Sequence, residues 1–164
     1  MEREENLSPF RPQSLAALGG WIVFCFAATL PAVWCPPGEW YAQLAKPDWN
    51  PPSWIFGPVW TALYLMMAVA AWLVWQRGGW AVQWRPLLAF VVQWALNALW
   101  SPLFFGWRRP DLAFVEILLL WLAVAASLGL FWRVSRMAGW LLVPYLGWVT
   151  FAAWLNFTLW QLNR

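Results

Sequence analysis

In "QWALNALWSP" the side chains of Gln93, Trp94, Asn97, Trp100 and Ser101 recur at spacings of three and four. On a helix that spacing lines one face with indole rings and amide groups. Two further stretches follow the same rule: Trp60, Tyr64 and Met67, then Tyr145, Trp148, Ala152 and Leu155. Such faces offer broad aromatic contact, with a few amides to orient a guest. They also have a plainer reading, in which Asn97 and Asn156 form interhelical hydrogen bonds worth about 0.6 to 2 kcal/mol each. Three stripes on three helices favour an internal cavity, because helices in lipid normally approach through small residues and large flat rings hold them apart.

Conventional catalysis is poorly served. The chain has no histidine, which removes the commonest general base, the usual zinc ligand and the usual axial ligand of haem, so no metal site is expected. It also has no phosphate-cradling glycine loop, dinucleotide fingerprint or nucleophile elbow. Cys25 and Cys35 would stand about 15 Å apart on one continuous helix, too far for a bridge, and are expected to be structural thiols. Glu116 is the only acid inside an apolar stretch, about one turn past Asp111. Either it snorkels to the headgroups or a basic neighbour, or it meets a bound ligand or partner helix. The net charge of +3 is spread without a basic run, so nucleic-acid binding is not indicated and attraction to acidic headgroups accounts for it.

These residues must be held by membrane-spanning elements. Hydrophobic residues make up 63 % of the chain and charged ones 10 %, against about 25 % charged in soluble domains. Apolar runs of about 20 residues, the length that crosses a hydrocarbon core, recur throughout. Spans are expected at about 15–34, 54–75, 86–105, 112–132 and 138–162. None alternates like a barrel strand, and all are longer than the roughly 10 residues such a strand needs. The fold class is therefore all-α, a five-transmembrane-helix bundle.

The start, with Glu2, Arg3, Glu4, Glu5 and Arg11, does not read as a cleavable secretory signal. Five spans put the N- and C-termini on opposite sides. Arg3, Arg11, Arg77, Arg85, Arg133 and Arg136 then share one side, and Lys46, Arg108, Arg109 and Arg164 the other, a slight preference for a cytoplasmic N-terminus. Five spans do not divide into the inverted halves of many secondary transporters.

Pro31, Pro102 and Pro144 are expected to bend their helices. Trp34, Trp75, Trp80, Trp84, Trp107, Trp132, Trp140 and Trp160 fall near span ends and read as an interfacial belt. The first loop, about 36–53, is rich in proline and tryptophan. Pro47, Pro51, Pro52 and Pro58 deny helix to their predecessors, so an ordered, non-helical cover is expected. Its Trp40 and Trp49, with Trp54 just beyond, either anchor it at the interface or roof a pocket.

"WYAQLAKPDWNPPSWIFGPVWTALY", "QWALNALWSPLFFG" and "PYLGWVTFAAWLNF" resemble the first loop with the second-helix start, the third helix and the fifth helix of the TspO/MBR family. This is the tryptophan-rich sensory protein or translocator protein family, known also as the peripheral-type benzodiazepine receptor family. The resemblance covers roughly residues 16–163. It implies a five-helix bundle, commonly a homodimer, with a ligand cavity closed by the first loop. It further implies binding of tetrapyrroles such as protoporphyrin IX, of cholesterol and of benzodiazepine-type drugs, with porphyrin as ligand and no cofactor required.

Carried onto this chain, the porphyrin-facing residues are Trp60 and Trp148, with Tyr64, Asn97, Trp100, Ala152 and Leu155 as further wall. Glu116 takes the place of an acidic residue in the family's fourth helix. Lys46, Arg108 and Arg109 are candidates to meet porphyrin carboxylates. A sterol-recognition motif of animal members has a tyrosine and then a basic residue where this chain has Phe157 and Gln161, so sterol recognition through it is not expected. Some members are linked to light-dependent porphyrin breakdown, which makes Trp60 and Trp148 the candidates for a catalytic role. The rival to both is a dimeric scaffold or regulator associating through small residues such as Ala98, Ala123, Ala126 and Gly129. A bacterial cell envelope is the expected location.

Overall fold

The computed structural model describes residues 12–164, and the charged residues expected to start the chain lie outside them. Helix α1 is Pro12–Ala27, α2 Leu30–Trp34, α3 Glu39–Gln43, α4 Ser53–Trp75, α5 Gly79–Ser101, α6 Pro110–Val134 and α7 Arg136–Leu162. Among the described residues, five stretches are long and apolar enough to cross a membrane: Gln13–Trp34, Ser53–Trp75, Gly79–Gly106, Pro110–Val134 and Arg136–Leu162. Each contains or nearly coincides with an expected span. The fold is an all-α bundle of five membrane-spanning segments.

Helices α4, α5, α6 and α7 form a ring of neighbours, and α1 packs against α4. The centre is filled by Met67, Ala68, Ala71, Phe90, Val124, Tyr145 and Val149. Ala68, Ala70 and Ala71 are fully buried, and their small side chains let α4 approach its neighbours closely.

The first span breaks where Pro31 predicts a bend. The amide of Ala28 donates to the Cys25 carbonyl and that of Thr29 to the Phe26 carbonyl, tightening the last turn of α1 before Pro31 opens α2. Pro102, which has no amide proton, starts a five-residue π-helical turn, so the second bend is a widened turn. Helix α7 runs through Pro144 without interruption.

The third span starts seven residues before its expected limit. Gly78 (φ 118°) and Gly79 (φ 60°) make the turn from α4, a left-handed geometry open to glycine. Gln83 leaves helical geometry, so Pro86 sits in the first turn of the segment after the kink, where its missing amide proton costs nothing. Cys25 is buried, Cys35 half-buried, and both are free thiols.

The first loop corrects one expectation. It contains α3, where a non-helical cover was expected, because the helix-denying prolines at 47, 51 and 52 lie beyond it and Gly38 caps its start. The Lys46 ammonium closes its other end, donating to the carbonyls of Tyr41 (2.6 Å), Ala42 (3.1 Å) and Leu44 (3.2 Å).

Candidate ligand site

The aromatic stripes of α4 and α7 face each other. Trp60 stacks on Tyr64, one turn along α4, at 5.3 Å between ring centroids, and meets Tyr145 at 6.3 Å and Trp148 at 6.4 Å. Phe56 adds an edge contact to Trp148 at 5.8 Å, and Phe151 lies 5.5 Å from the same indole. Tyr64, Tyr145 and Leu155 are buried, whereas Trp60, Trp100, Trp148 and Ala152 keep part of their surface accessible. The accessible rings are therefore the ones able to meet a guest.

Helix α5 supplies the polar groups. The Tyr64 hydroxyl donates to Asn97 Oδ1 at 2.9 Å, which fixes the amide between α4 and α5. Trp100 Nε1 donates to Asn156 Oδ1 at 3.0 Å, and Asn156 Nδ2 donates to the Pro110 carbonyl at 2.8 Å. Asn156 thus ties α5, α6 and α7 together, the structural role open to it from the sequence. Trp94 departs from its stripe: its ring stacks on Phe24 at 4.4 Å and its indole donates to the Phe24 carbonyl, so it serves the contact with α1.

A second aromatic cluster lies under the loop. Trp100 stacks on Phe104 at 4.9 Å, and Trp40 and Tyr41 meet Phe104 edge-on at 5.9 and 6.2 Å. Leu155 and Leu159 pack into it, with Phe56 and Phe151 at its border. Trp49 reaches Phe151 at 6.0 Å, so the loop touches the α7 stripe. Trp54 stands apart, 72 % exposed, and among the described residues stacks on no other ring.

One polar clamp was missed by sequence reasoning. Asn163 accepts from the Ala45 amide through Oδ1 at 2.9 Å, and its Nδ2 donates to the Ala45 and Leu159 carbonyls. It pins the loop to the end of α7. Nothing in its sequence context distinguishes it from a solvated terminal asparagine.

Glu116 corrects the snorkelling expectation. It is 5 % exposed, and among the described residues neither carboxylate oxygen has a hydrogen-bond partner. Gln93 and the Tyr145 hydroxyl are likewise buried and unpartnered. Such groups carry a desolvation cost of about 1–3 kcal/mol each unless something meets them.

Two of the three candidate rim cations are already engaged. Lys46 caps α3, and Arg109 forms a two-pronged pair with Asp111, at 2.9 Å from Nε and 2.6 Å from Nη2. That hydrogen bond to Asp111 raises the Arg109 pKa further. Arg108, exposed and at a φ of 54°, carries no such pair among the described residues. In the loop, burial pushes the Tyr41 phenol up.

Two grooves open on other faces, and neither is lined by Trp60, Tyr64 or Trp148. One, of about 380 Å³, lies between α1 and the α4–α5 turn. The other, of about 660 Å³, lies between α6 and α7 beside Phe114, Phe151, Trp154 and Phe157.

Residues 14–161 match the TspO/MBR family. The chain is 40 % identical to Protein CrtK of Rhodobacter capsulatus, over 92 % of this chain and 94 % of that one. It is 46 % identical to the tryptophan-rich protein TspO of Chlorobaculum tepidum, over 77 % and 82 % of the two chains. It is also 46 % identical to the translocator protein of Ovis aries, over 77 % and 76 %.

Proposed function

We propose, because this chain belongs to the TspO/MBR family, that it is an integral membrane protein binding a tetrapyrrole of the protoporphyrin type between α4 and α7. Some members of the family bind such ligands. The observation that carries the reading is the set of partly accessible rings, Trp60 and Trp148, in edge contact over a floor of buried Tyr64 and Tyr145. A broad macrocycle gains most from burying apolar surface against them, at about 25 cal/mol per Å², with about 0.5–1.5 kcal/mol more for each ring pairing. Asn97, held by Tyr64, orients the guest, and the first loop, pinned by Asn163, acts as the lid. Arg108 is the cation left to meet a ligand carboxylate at the rim. The bundle works as a homodimer in a bacterial envelope, its ends on opposite sides of the membrane.

Titrating protoporphyrin IX into the protein in nanodiscs, with tryptophan quenching as readout, tests this. Saturable quenching in the micromolar range is expected. Its absence returns the chain to the role of a membrane scaffold.

A second reading, light-driven breakdown of the bound porphyrin with dioxygen, is favoured by the same geometry. Trp60 adjoins Tyr64, Tyr145 and Trp148, so an electron lost from its indole can be replaced from a neighbouring ring. Illumination of the complex distinguishes the two. Equal bleaching by wild type and by a Trp60→Phe, Trp148→Phe double variant removes the catalytic role and leaves binding.

A further inference from the structure

Among the described residues, the end of the bundle opposite the first loop is basic. Arg77 in the α4–α5 turn, Arg85 on α5, and Arg133 and Arg136 at the α6–α7 junction are all exposed. The acids among the described residues, Glu39, Asp48, Asp111 and Glu116, lie in the first loop or the first two turns of α6, towards the other end. Among the described residues these four arginines therefore have no acid beside them.

The groove of about 380 Å³ starts at this basic end, and its lining includes Ala17, Gly20, Trp21, Phe24, Trp75 and Trp80. Its walls are fixed. Trp72 Nε1 donates to the Ser14 carbonyl at 2.9 Å, and Gln76 Nε2 to Ser14 Oγ at 2.6 Å, joining the start of α1 to the end of α4. Trp21 meets Phe90 edge-on at 5.8 Å, and Phe24 is stacked on Trp94, so the floor does not collapse. Gly20 gives the groove depth: a Cβ there would meet no atom within 4 Å. At the mouth Trp75 and Trp80 flank the turn that carries Arg77, and Gln83 Nε2 donates to the Arg77 carbonyl at 3.1 Å.

We propose that this groove binds an anionic phospholipid, with one acyl chain along Gly20, Trp21 and Phe24 and the phosphate at Arg77. The apolar length lies on the outer face of a membrane-spanning bundle, where acyl chains are the surrounding solvent. The two indoles stand where tryptophan favours the boundary between chain and headgroup. The arginines, with no acid beside them among the described residues, select a negative headgroup over a zwitterionic one, since basic residues at the membrane surface attract anionic lipid.

Native mass spectrometry of the full chain in detergent, titrated with phosphatidylglycerol or phosphatidylcholine, tests the proposal. One phosphatidylglycerol is expected to bind saturably and in preference to phosphatidylcholine. Arg77→Gln should weaken it about fivefold, the effect of one basic residue near an anionic surface. Arg136→Gln, at the same end but away from the groove, should leave it unchanged. Gly20→Leu fills the groove and should abolish the preference, while the melting temperature of the lipid-free variant reports whether it folds. Equal binding of the two lipids by wild type overturns the proposal, as does equal weakening by Arg77→Gln and Arg136→Gln. So does a folded Gly20→Leu that keeps the preference, or one that changes oligomeric state and so marks the groove as a seat for a second copy.

Discussion

The indole of Trp60 on α4 meets that of Trp148 on α7 nearly at right angles, with ring centroids 6.4 Å apart. Both keep accessible surface, although their neighbours Tyr64 and Tyr145 are buried. If this pair carries the ligand, Trp148→Ala should cost about 2 kcal/mol of protoporphyrin affinity, roughly thirtyfold in Kd. Trp154→Ala, on the outer face of the same helix and 63 % exposed, should leave Kd unchanged. Parallel quenching titrations of the two variants measure the contrast.

The chain contains no histidine, so iron in a bound macrocycle lacks its usual strong protein ligand. Metal-free protoporphyrin IX is expected to bind at least as tightly as haem. A titration of both, with the haem spectrum as second readout, checks this. A large preference for haem with an axial-ligand absorption shift contradicts it.

Asn163 should control the loop. Asn163→Ala removes its hydrogen bonds to both backbone groups of Ala45, each worth about 0.5–1.5 kcal/mol. Hydrogen exchange of the Ala45 amide should then lose about tenfold protection, while amides at Ala68 and Val124 in the core stay protected. Unchanged exchange at Ala45 would show that the loop is held by its aromatic contacts instead.

Five spans were legible because each repeats about 20 apolar residues, a pattern only a membrane helix satisfies. The breaks at Pro31 and Pro102 were legible because proline removes a specific donor. Helix α3 was not. Five residues cannot hold a helix by propensity, and this one rests on Lys46 and on the rings of Phe104 and Phe105, which are far away in sequence. The two readings of Glu116 stayed open because depth was judged from distance to the helix end, without regard to rotation. Ala113, Glu116, Leu120, Val124 and Ser127 recur at three and four and are all buried, whereas Leu112, Val115, Leu119 and Leu122 face outward. The buried face mixes small and polar residues with aliphatic ones, whereas the outward set is aliphatic throughout, and that contrast was present in the sequence. The convergence of Trp60, Tyr64 and Tyr145 followed from their stripes. The outward turn of Trp54 and the commitment of Trp94 to α1 depend on helix rotation.

Gly139 tests the packing account. A Cβ there would lie 2.5 Å from Trp132 Cε3, whereas one at Gly129 meets nothing within 4 Å. Gly139→Ala should destabilise the α6–α7 junction by about 1–3 kcal/mol, and Gly129→Ala should be neutral or stabilising by up to about 1 kcal/mol. Thermal unfolding of the two variants in one detergent gives the comparison.

The most direct measurement is an experimental structure of the complex with protoporphyrin IX. The macrocycle is expected between α4 and α7, in van der Waals contact with Trp60 and Trp148 and within hydrogen-bonding reach of Asn97. A macrocycle seated instead in the outer α6–α7 groove, against Phe114, Trp154 and Phe157, would contradict the account.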